Sequence, residues 1–272
     1  MKKKLLTIAL ALAMVFSMTA LTGCGGNEAA DDSASAESDL AYVQDKGTLI
    51  VGITDFAPMD YKDDSGEWVG FDADMAKAFA ESIGCEVEFI EINWDSKEME
   101  LENKSIDAVW NGMTLTDAVK EAMETTNAYC NNAQVVVVKS DVADKYQEKD
   151  ACADLNFAVE AGSAGADAAA AEGWSNVVEV ETQAAALMEV ESGTADACII
   201  DLLMAGAMIG EGTSYTDLTY TCSLTSEEYG VGFRKGSDLA ETLNEFFSTS
   251  YADGSMQEIA EKYGTQESLV EQ

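Results

Sequence analysis

A polar stretch between Asp107 and Val119 has the residue types and spacing of a small-ligand site. Its sequence, DAVWNGMTLTDAV, predicts a short buried strand, a glycine turn that carries hydroxyl groups, and the start of a helix. Thr116 is a suitable N-cap, and Asp117 places an acid in the first helical turn. Because such a strand-turn-helix unit presents free backbone N–H groups, we expect it to contact a small polar ligand.

Residue patterns typical of catalysis or metal binding are absent from the sequence. The 272 residues include no histidine, no Ser-His-Asp set and no phosphate loop of the GxxxxGK type. The neighbouring acids Asp72 and Asp74 are expected to cap a helix rather than to act in acid–base chemistry. We therefore expect a binding protein that is not an enzyme, with no cofactor and no metal.

The chain is strongly acidic, with 51 aspartates and glutamates, 15 lysines and arginines, and a net charge of −36. Nucleic-acid binding requires a basic surface, so nucleic acid is excluded as a partner. The cysteines that follow Cys24 are odd in number and lack CxxC spacing, which argues against a disulfide framework or a zinc site. We expect most of these thiols to be buried and reduced, and one disulfide pair is left open.

The N-terminal residues predict secretion and lipid anchoring. Three lysines at positions 2–4 precede an apolar run at 5–20, as in a secretory signal. The next four residues, LTGC, resemble a lipobox, which predicts cleavage before Cys24 and a lipid on its sulfur. Residues 1–23 are then the signal peptide, and 24–44 form a flexible acidic tether. We expect the protein to be held by this lipid at the extracellular face of the cell membrane.

Two segments of the chain repeat one order of elements: strand, helix, strand, helix, and a strand that starts with Asp-Ala. SIDAVW at 105–110 and TADACI at 194–199 occupy the same place in this order. The second of these strands ends at Asp201, an acid after a buried run. Repeated strand-helix units of this kind predict two α/β lobes.

The lobes are expected to be discontinuous in sequence. The first lobe comprises residues 45–133 and 229–272, and the second comprises 139–222. Segments 134–138 and 223–228 are the predicted hinge crossings. Two open α/β lobes joined in this way form a cleft, and their sheets bind ligands at the carboxyl ends of the strands.

Five motifs, taken in order, resemble a known family. They are GITDFAP at 52–58, GFDAD at 70–74, NGMTLT at 111–116, VEAGS at 159–163 and EYGVGFRKG at 228–236. Together they resemble the extracellular solute-binding proteins of family 3, the amino-acid receptors of ABC importers, over residues 45–264. The resemblance implies a two-lobed periplasmic-binding fold that closes on its ligand by a hinge. It also implies an ABC permease as partner, and we expect a monomer.

The resemblance implies roles for particular residues. Asp201 matches the acid that takes the α-ammonium group of the ligand in this family. The backbone of Gly112 and the hydroxyl of Thr114 match groups that meet the ligand carboxylate. Phe56 matches an aromatic residue that packs on the ligand, and Trp94 matches a side-chain pocket position. Two further polar residues of the motifs are expected to contact the ligand: Asp55 and Asn111.

The sequence departs from the family at the carboxylate end of the ligand. Val119 stands where the family has an arginine, and a valine cannot form a bidentate clamp on a carboxylate. Ser163 is followed by Ala164, so the second-lobe turn has one hydroxyl fewer than usual. We therefore hypothesise an amine-bearing or heteroaromatic ligand rather than a standard α-amino acid. In the alternative, Lys120, Ser163 and backbone N–H groups meet the carboxylate of an amino acid.

Two functions thus remain open at this point. In one, the protein captures a small amino-acid-like or amine solute and delivers it to an ABC importer. In the other, it is a ligand-sensing surface lipoprotein without a transport role.

Overall fold

The structure, a computed structural model, describes residues 38–272, so the predicted signal peptide and the predicted lipidation site at Cys24 lie outside the described residues. Within the described part, no helix is long and apolar enough to cross a bilayer. The strands are β1 Thr48–Ile53, β2 Tyr61–Lys62, β3 Trp68–Val69, β4 Glu86–Glu91, β5 Ala108–Thr114, β6 Glu124–Thr125, β7 Cys130–Asn132, β8 Gln134–Lys139, β9 Phe157–Glu160, β10 Val177–Val180, β11 Ala197–Asp201, β12 Leu218–Ser223 and β13 Glu227–Phe233.

The helices lie between the strands, as expected for alternating strand-helix units. They are α1 Asp39–Lys46, α2 Phe71–Ser82, α3 Lys97–Glu102, α4 Asp117–Ala122, α5 Lys149–Cys152, α6 Ala164–Ala171, α7 Gln183–Ser192, α8 Leu202–Met208, α9 Leu239–Asp253 and α10 Ser255–Tyr263. One short 3-10 turn, Trp94–Ser96, directly precedes α3.

Two mixed sheets form the centres of the two lobes. The first has the order β4-β1-β5-β13-β6, with β7 also paired to β13. The second has the order β10-β9-β11-β8-β12. In each sheet, three neighbouring strands are parallel and the strand added beside them is antiparallel. The described chain is therefore a two-lobed α/β fold, as the repeated element order predicts.

The chain passes between the two sheets twice. Because β7 pairs with β13 in the first sheet and β8 pairs with β11 in the second, the first crossing lies between Asn132 and Gln134. The segment 134–138, predicted to be a crossing, instead forms most of β8, because its valines are buried and its backbone is paired. The second crossing lies between Ser223 and Glu227, inside the predicted segment.

The end of the predicted tether is part of the folded domain. The Ser38 hydroxyl caps α1, and the buried Val43 packs into the core. Asp39 forms an ion pair with Arg234, with 3.0 Å between Oδ2 and Nε. A cap, a buried side chain and an ion pair thus fix residues 39–44 in a helix, which corrects the predicted tether boundary.

Asp72 does not cap α2, so that prediction is wrong. The helix begins after Gly70 and has no side-chain cap. The buried Asp72 carboxylate instead accepts hydrogen bonds from the backbone N–H of Gly112 and from the Tyr129 hydroxyl, both at 2.7 Å. This acid therefore links α2 to the middle of β5.

The five cysteines of the described residues are buried free thiols, as the sequence predicts for most of them. The one close approach is between Cys152 and Cys222, whose sulfurs lie 3.9 Å apart. That separation is a contact between two thiols and not a disulfide bond.

Candidate functional site

A cavity of about 320 Å³ lies where the carboxyl ends of strands from both sheets meet. Its size falls in the range of small-molecule sites. Five acids and one lysine occur among its lining residues, so its charge is strongly negative. The lining residues are Thr54, Phe56, Trp94, Asp95, Lys97, Glu98, Asn111, Gly112, Met113, Thr114, Thr116, Ala118, Val119, Glu160, Gly162, Ser163, Ala164, Asp167, Gln183 and Asp201.

Most residues predicted to contact a ligand line this cavity. The lining residues form two groups, defined by the sheet that supports them. The first-sheet wall consists of Phe56, Asn111, Gly112, Thr114 and Val119. The second-sheet wall consists of Glu160, Ser163, Gln183 and Asp201.

Asp55 is not among the residues that line the cavity. It is exposed and lies between Thr54 and Phe56, both of which do line it. The structure therefore does not bring Asp55 together with the other predicted site residues.

Asn111 is fully engaged with the protein. Its Oδ1 accepts hydrogen bonds from the backbone N–H and the hydroxyl of Thr54, at 2.8 and 2.7 Å. Its Nδ2 donates to the Thr54 carbonyl at 3.2 Å and to Asp60 Oδ2 at 2.7 Å. Because a side-chain amide has two N–H donors and two lone pairs, Asn111 has no polar group left for a ligand.

The resemblance implies that Gly112 and Thr114 meet a ligand carboxylate, and in this structure both donors have other partners. The Gly112 N–H donates to the buried Asp72, and the Thr114 hydroxyl donates to Glu227 Oε1 at 3.0 Å. Both donors therefore already have carboxylate partners within the protein. Gly112 still shapes the cavity, because its φ is +54° and a Cβ there would lie 2.3 Å from Phe56 Cε1.

Val119 forms an apolar part of the first-sheet wall. The Thr116 hydroxyl caps α4, as predicted, and accepts a hydrogen bond from the Val119 N–H at 3.1 Å. The buried Val119 side chain belongs to an apolar cluster with Trp94 and Met113. The adjacent Lys120 is exposed and is not among the residues that line the cavity, so it supplies no cation in place of the missing arginine.

Asp201, at the end of β11, is 4% exposed and is held by several donors. Its Oδ1 accepts from Asn132, from Gln134 at 2.9 Å and from the Tyr229 hydroxyl at 2.7 Å. Its Oδ2 accepts only from Gln183 among the described residues. Since a carboxylate oxygen has two lone pairs, Oδ2 can accept a further hydrogen bond from a ligand.

Burial, together with the nearby Glu227 carboxylate, raises the pKa of Asp201 to about 7. The donors from Tyr229, Gln183 and Gln134 act in the opposite direction, because they stabilise the ionised form. A carboxyl group in this balance ionises readily when a cation arrives beside it.

Glu160, the last residue of β9, was not predicted as a site residue. It is 3% exposed, and no group in the described part of the chain donates a hydrogen bond to its Oε1. Burial raises the pKa of Glu160 to about 8, with a further upward contribution from Asp201. Glu160 also lines the cavity, so its carboxyl group is a candidate partner for a ligand donor.

Lys97 is the only cation among the residues that line this cavity. Its Nζ donates to the carbonyl of Trp94 at 3.2 Å and to the carbonyl of Gly162 at 3.0 Å. It also lies 5.0 Å from the centroid of the Trp94 ring. Burial lowers the pKa of Lys97. Since Trp94 belongs to the first lobe and Gly162 to the second, this amine links the lobes across the cleft.

Ser163 caps α6, where its hydroxyl oxygen accepts a hydrogen bond from the Ala166 N–H at 3.2 Å. The hydroxyl proton is not used by this cap. Ser163 is therefore a possible donor on a wall whose other polar groups are two acids and an amide.

Sequence reasoning missed Glu160, Gln183 and Lys97. A signal for Glu160 exists, because it ends a buried strand directly before the Gly162 turn in the VEAGS motif. Gln183 and Lys97 lie on helices whose sequences give no indication that they face a cleft. Their roles follow only from the packing of the two lobes.

Comparison with known proteins agrees with this geometry. The ABC transporter glutamine-binding protein GlnH of Bacillus subtilis is 30% identical over 262 residues, which cover 93% of this chain and 95% of that protein. A mutant of ArgBP from T. maritima has a TM-score of 0.78 and 29% identity, covering 83% of this chain and 99% of that one.

A second solved structure is an ABC uptake transporter substrate-binding protein from Streptococcus pneumoniae with bound histidine. It has a TM-score of 0.76 and 29% identity, and the match covers 84% of this chain and 96% of that chain. The family model of the bacterial extracellular solute-binding proteins, family 3, matches residues 49–266. With its two α/β lobes and the cleft between them, the chain belongs to this family.

Proposed function

We propose that this protein is a lipid-anchored extracellular receptor that captures a small amine in preference to a standard α-amino acid and delivers it to an ABC importer. The observation that carries the proposal is the difference between the two walls of the cavity. On the first-sheet wall, the donors expected for a carboxylate already bind acids of the protein. On the second-sheet wall, two buried acids retain capacity to accept hydrogen bonds.

A ligand carboxylate has few partners in this cavity. The family arginine is replaced by Val119, and the Lys97 amine is directed at two backbone carbonyls. Leaving a buried carboxylate without partners costs several kcal/mol. The negative charge of the surrounding acids adds to that cost.

An amine, by contrast, gains a partner in Asp201. A hydrogen bond between charged groups contributes about 1.5–3 kcal/mol. Phe56 and Trp94 line the same cavity and can cover the apolar part of the ligand. Because Lys97 lies near the Trp94 ring, Phe56 is the more available aromatic face for a cation.

The transport role is proposed from the relatives, since GlnH and the S. pneumoniae protein are described as parts of ABC transporters. The receptor would act as a monomer, with lobes formed by residues 38–132 plus 227–272 and by 134–223 that close about the two crossings. Genes for a permease and an ATPase beside this one are expected. Their absence would favour the ligand-sensing alternative.

The proposed anchor is the lipid on Cys24. Labelled palmitate should enter the full-length protein, and Cys24→Ser should abolish labelling and release the chain from membranes. Retention of the Ser variant in the membrane fraction would contradict the anchor.

The ligand preference is tested by calorimetry with matched pairs, each consisting of an amino acid and the amine formed by removing its carboxylate. A thermal-shift screen should first identify binders, because a ligand at 100 times its Kd adds about 2.7 kcal/mol of stability. We expect the amine of a pair to bind more tightly to the wild type, and Asp201→Asn to weaken it. Tight binding of the amino acid with an inert amine would contradict the proposal.

A further inference from the structure

Two acids of the second-sheet wall, Glu160 and Asp201, line the floor of the cavity, close enough for the charge of Asp201 to raise the pKa of Glu160. Glu160 ends β9 and Asp201 ends β11, and these strands are adjacent and parallel with Cys198 opposite Ala158. Glu160 is therefore in register with Ile200, one residue before Asp201. Strand spacing and rise place the two Cα atoms about 6 Å apart.

The two carboxylates differ in their partners. Asp201 accepts hydrogen bonds from four side chains, whereas Glu160 Oε1 accepts none from the described residues. Lys97 is close enough to influence Glu160 but directs its amine at the carbonyls of Trp94 and Gly162. No ion pair in the described part of the chain involves either acid of the floor.

A single ammonium group at Asp201 leaves Glu160 without a partner. Burial raises the pKa of Glu160 to about 8, so with a single cation at Asp201 the Glu160 carboxyl group keeps its proton, and a ligand with one cationic group would use only half of this floor. A second cationic group on the same ligand would pair with the Glu160 carboxyl group and favour its ionised form. The adjacent strand ends require that the two cationic groups be joined by a short linker.

We propose that the ligand is a short dication without a carboxylate, such as an aliphatic diamine, with one cationic group at Asp201 and the other at Glu160. This inference rests on the proposed preference for amines and narrows it to a ligand class. Glu160 is then the residue that distinguishes diamines from monoamines.

The test compares three ligands by calorimetry on the wild type: butylamine, diaminobutane and ornithine. The first two differ by one amine, and the last two differ by one carboxylate. We expect diaminobutane to bind about ten- to hundredfold more tightly than butylamine, the effect of one hydrogen bond between charged groups. Diaminopropane and diaminopentane, measured alongside, report the linker length that fits the floor.

Three isosteric variants assign the effect to a residue. Glu160→Gln should weaken the binding of diaminobutane much more than that of butylamine, so that the two affinities become similar. Asp201→Asn should weaken both ligands. Glu179→Gln is the matched control, because Glu179 is an exposed acid on the neighbouring strand β10 and does not line the cavity. It should change neither affinity by more than about twofold.

The outcomes separate this inference from the proposed function. If butylamine and diaminobutane bind the wild type equally well, the dication is excluded while the amine preference stands. The same holds if Glu160→Gln binds diaminobutane as tightly as the wild type does. If ornithine binds and both amines are inert, the proposed function fails as well. Absence of binding by every diamine also overturns the inference, whatever other ligand is found.

Discussion

The first-sheet wall and the second-sheet wall are both polar, but their polar groups have different partners. On the first-sheet wall, the Asn111 amide, the Gly112 N–H and the Thr114 hydroxyl all form hydrogen bonds inside the protein. On the second-sheet wall, Glu160 and Asp201 keep oxygens that can accept a ligand donor. One wall therefore sets the shape of the cavity, and the other sets its chemistry.

A raised pKa does not by itself distinguish the two walls. Burial raises the pKa of Asp72, behind the first-sheet wall, to about 7, as it does for Asp201. The pKa of the neighbouring Asp60 is also raised by burial and by the charge of Asp72. These two acids do not line the cavity and instead hold Asn111 and Gly112 in place. The comparison shows that orientation toward the cavity, in addition to burial, identifies an acid that can bind a ligand.

The largest effect is expected from removing Asp72, the buried acid behind the first-sheet wall. Asp72→Ala should lower the free energy of unfolding by about 2–6 kcal/mol, because it leaves the Gly112 N–H and the Tyr129 hydroxyl buried without an acceptor. Denaturant unfolding measures the loss, with Asp64→Ala in the exposed hairpin turn as control. A loss of ligand affinity without a loss of stability would show that Asp72 serves the ligand instead.

Glu160→Gln should have the opposite effect on stability in the unliganded protein. Burial raises the pKa of Glu160 to about 8, so the folded state keeps a proton that the unfolded state releases above its ordinary pKa. The wild type therefore loses stability as the pH rises toward 8, and the variant does not incur that loss. We expect the variant to gain about 1–3 kcal/mol at pH 8 and almost nothing at pH 4.

Denaturant unfolding at several pH values measures this difference. The affinity for an amine should rise over the same interval, because a cation favours the ionised forms of Glu160 and Asp201. A stability difference that is the same at pH 4 and pH 8 would argue that Glu160 is not a titrating group of the cavity.

Val119→Arg would give the first-sheet wall the cation that it lacks. We expect the affinity for an α-amino acid to rise about tenfold and the affinity for its decarboxylated amine to fall by a similar factor. Calorimetry on both ligands measures the exchange, with Val119→Leu as a control for the added bulk. An unchanged ratio of the two affinities would mean that the carboxylate end of the ligand does not lie against the first-sheet wall.

The smallest effect is expected for Ser163→Ala. The variant loses the cap of α6, which contributes about 1 kcal/mol. Ser163→Asn keeps a side chain that can cap α6 but removes the hydroxyl group. It therefore separates the capping role of Ser163 from its role as a hydrogen-bond donor to the ligand. If Ser163→Asn loses affinity while Ser163→Ala keeps it, the hydroxyl is not the group that matters.

The sequence predicts the two-lobed fold and much of the cavity. The alternation of strands and helices determines the sheets, and Thr116 caps α4 where its spacing indicates. Phe56, Trp94 and Val119 line the cavity, and each lies close to a strand end or a helix start. Each of these patterns follows from local physical effects, so it can be identified in a single sequence.

The partners of polar groups could not be predicted in the same way. Asp72 occupies a typical capping position, yet its carboxylate reaches Gly112, which is far away in the sequence. The Thr114 hydroxyl likewise finds Glu227 on another strand of the same sheet. Such contacts depend on how segments that are far apart in the sequence pack together. Local helix and strand propensities carry no information about that packing. For the same reason, Glu160 was overlooked.

The hydrogen bond from Lys97 to the Gly162 carbonyl has a consequence for residence time. It joins α3 of the first lobe to the turn before α6 of the second lobe, so a ligand leaves only after this bond has broken. Shortening this side chain should therefore speed the dissociation of a bound ligand more than it alters the association rate. In the proposed transport role, docking on a permease would have to break this contact before the ligand is released.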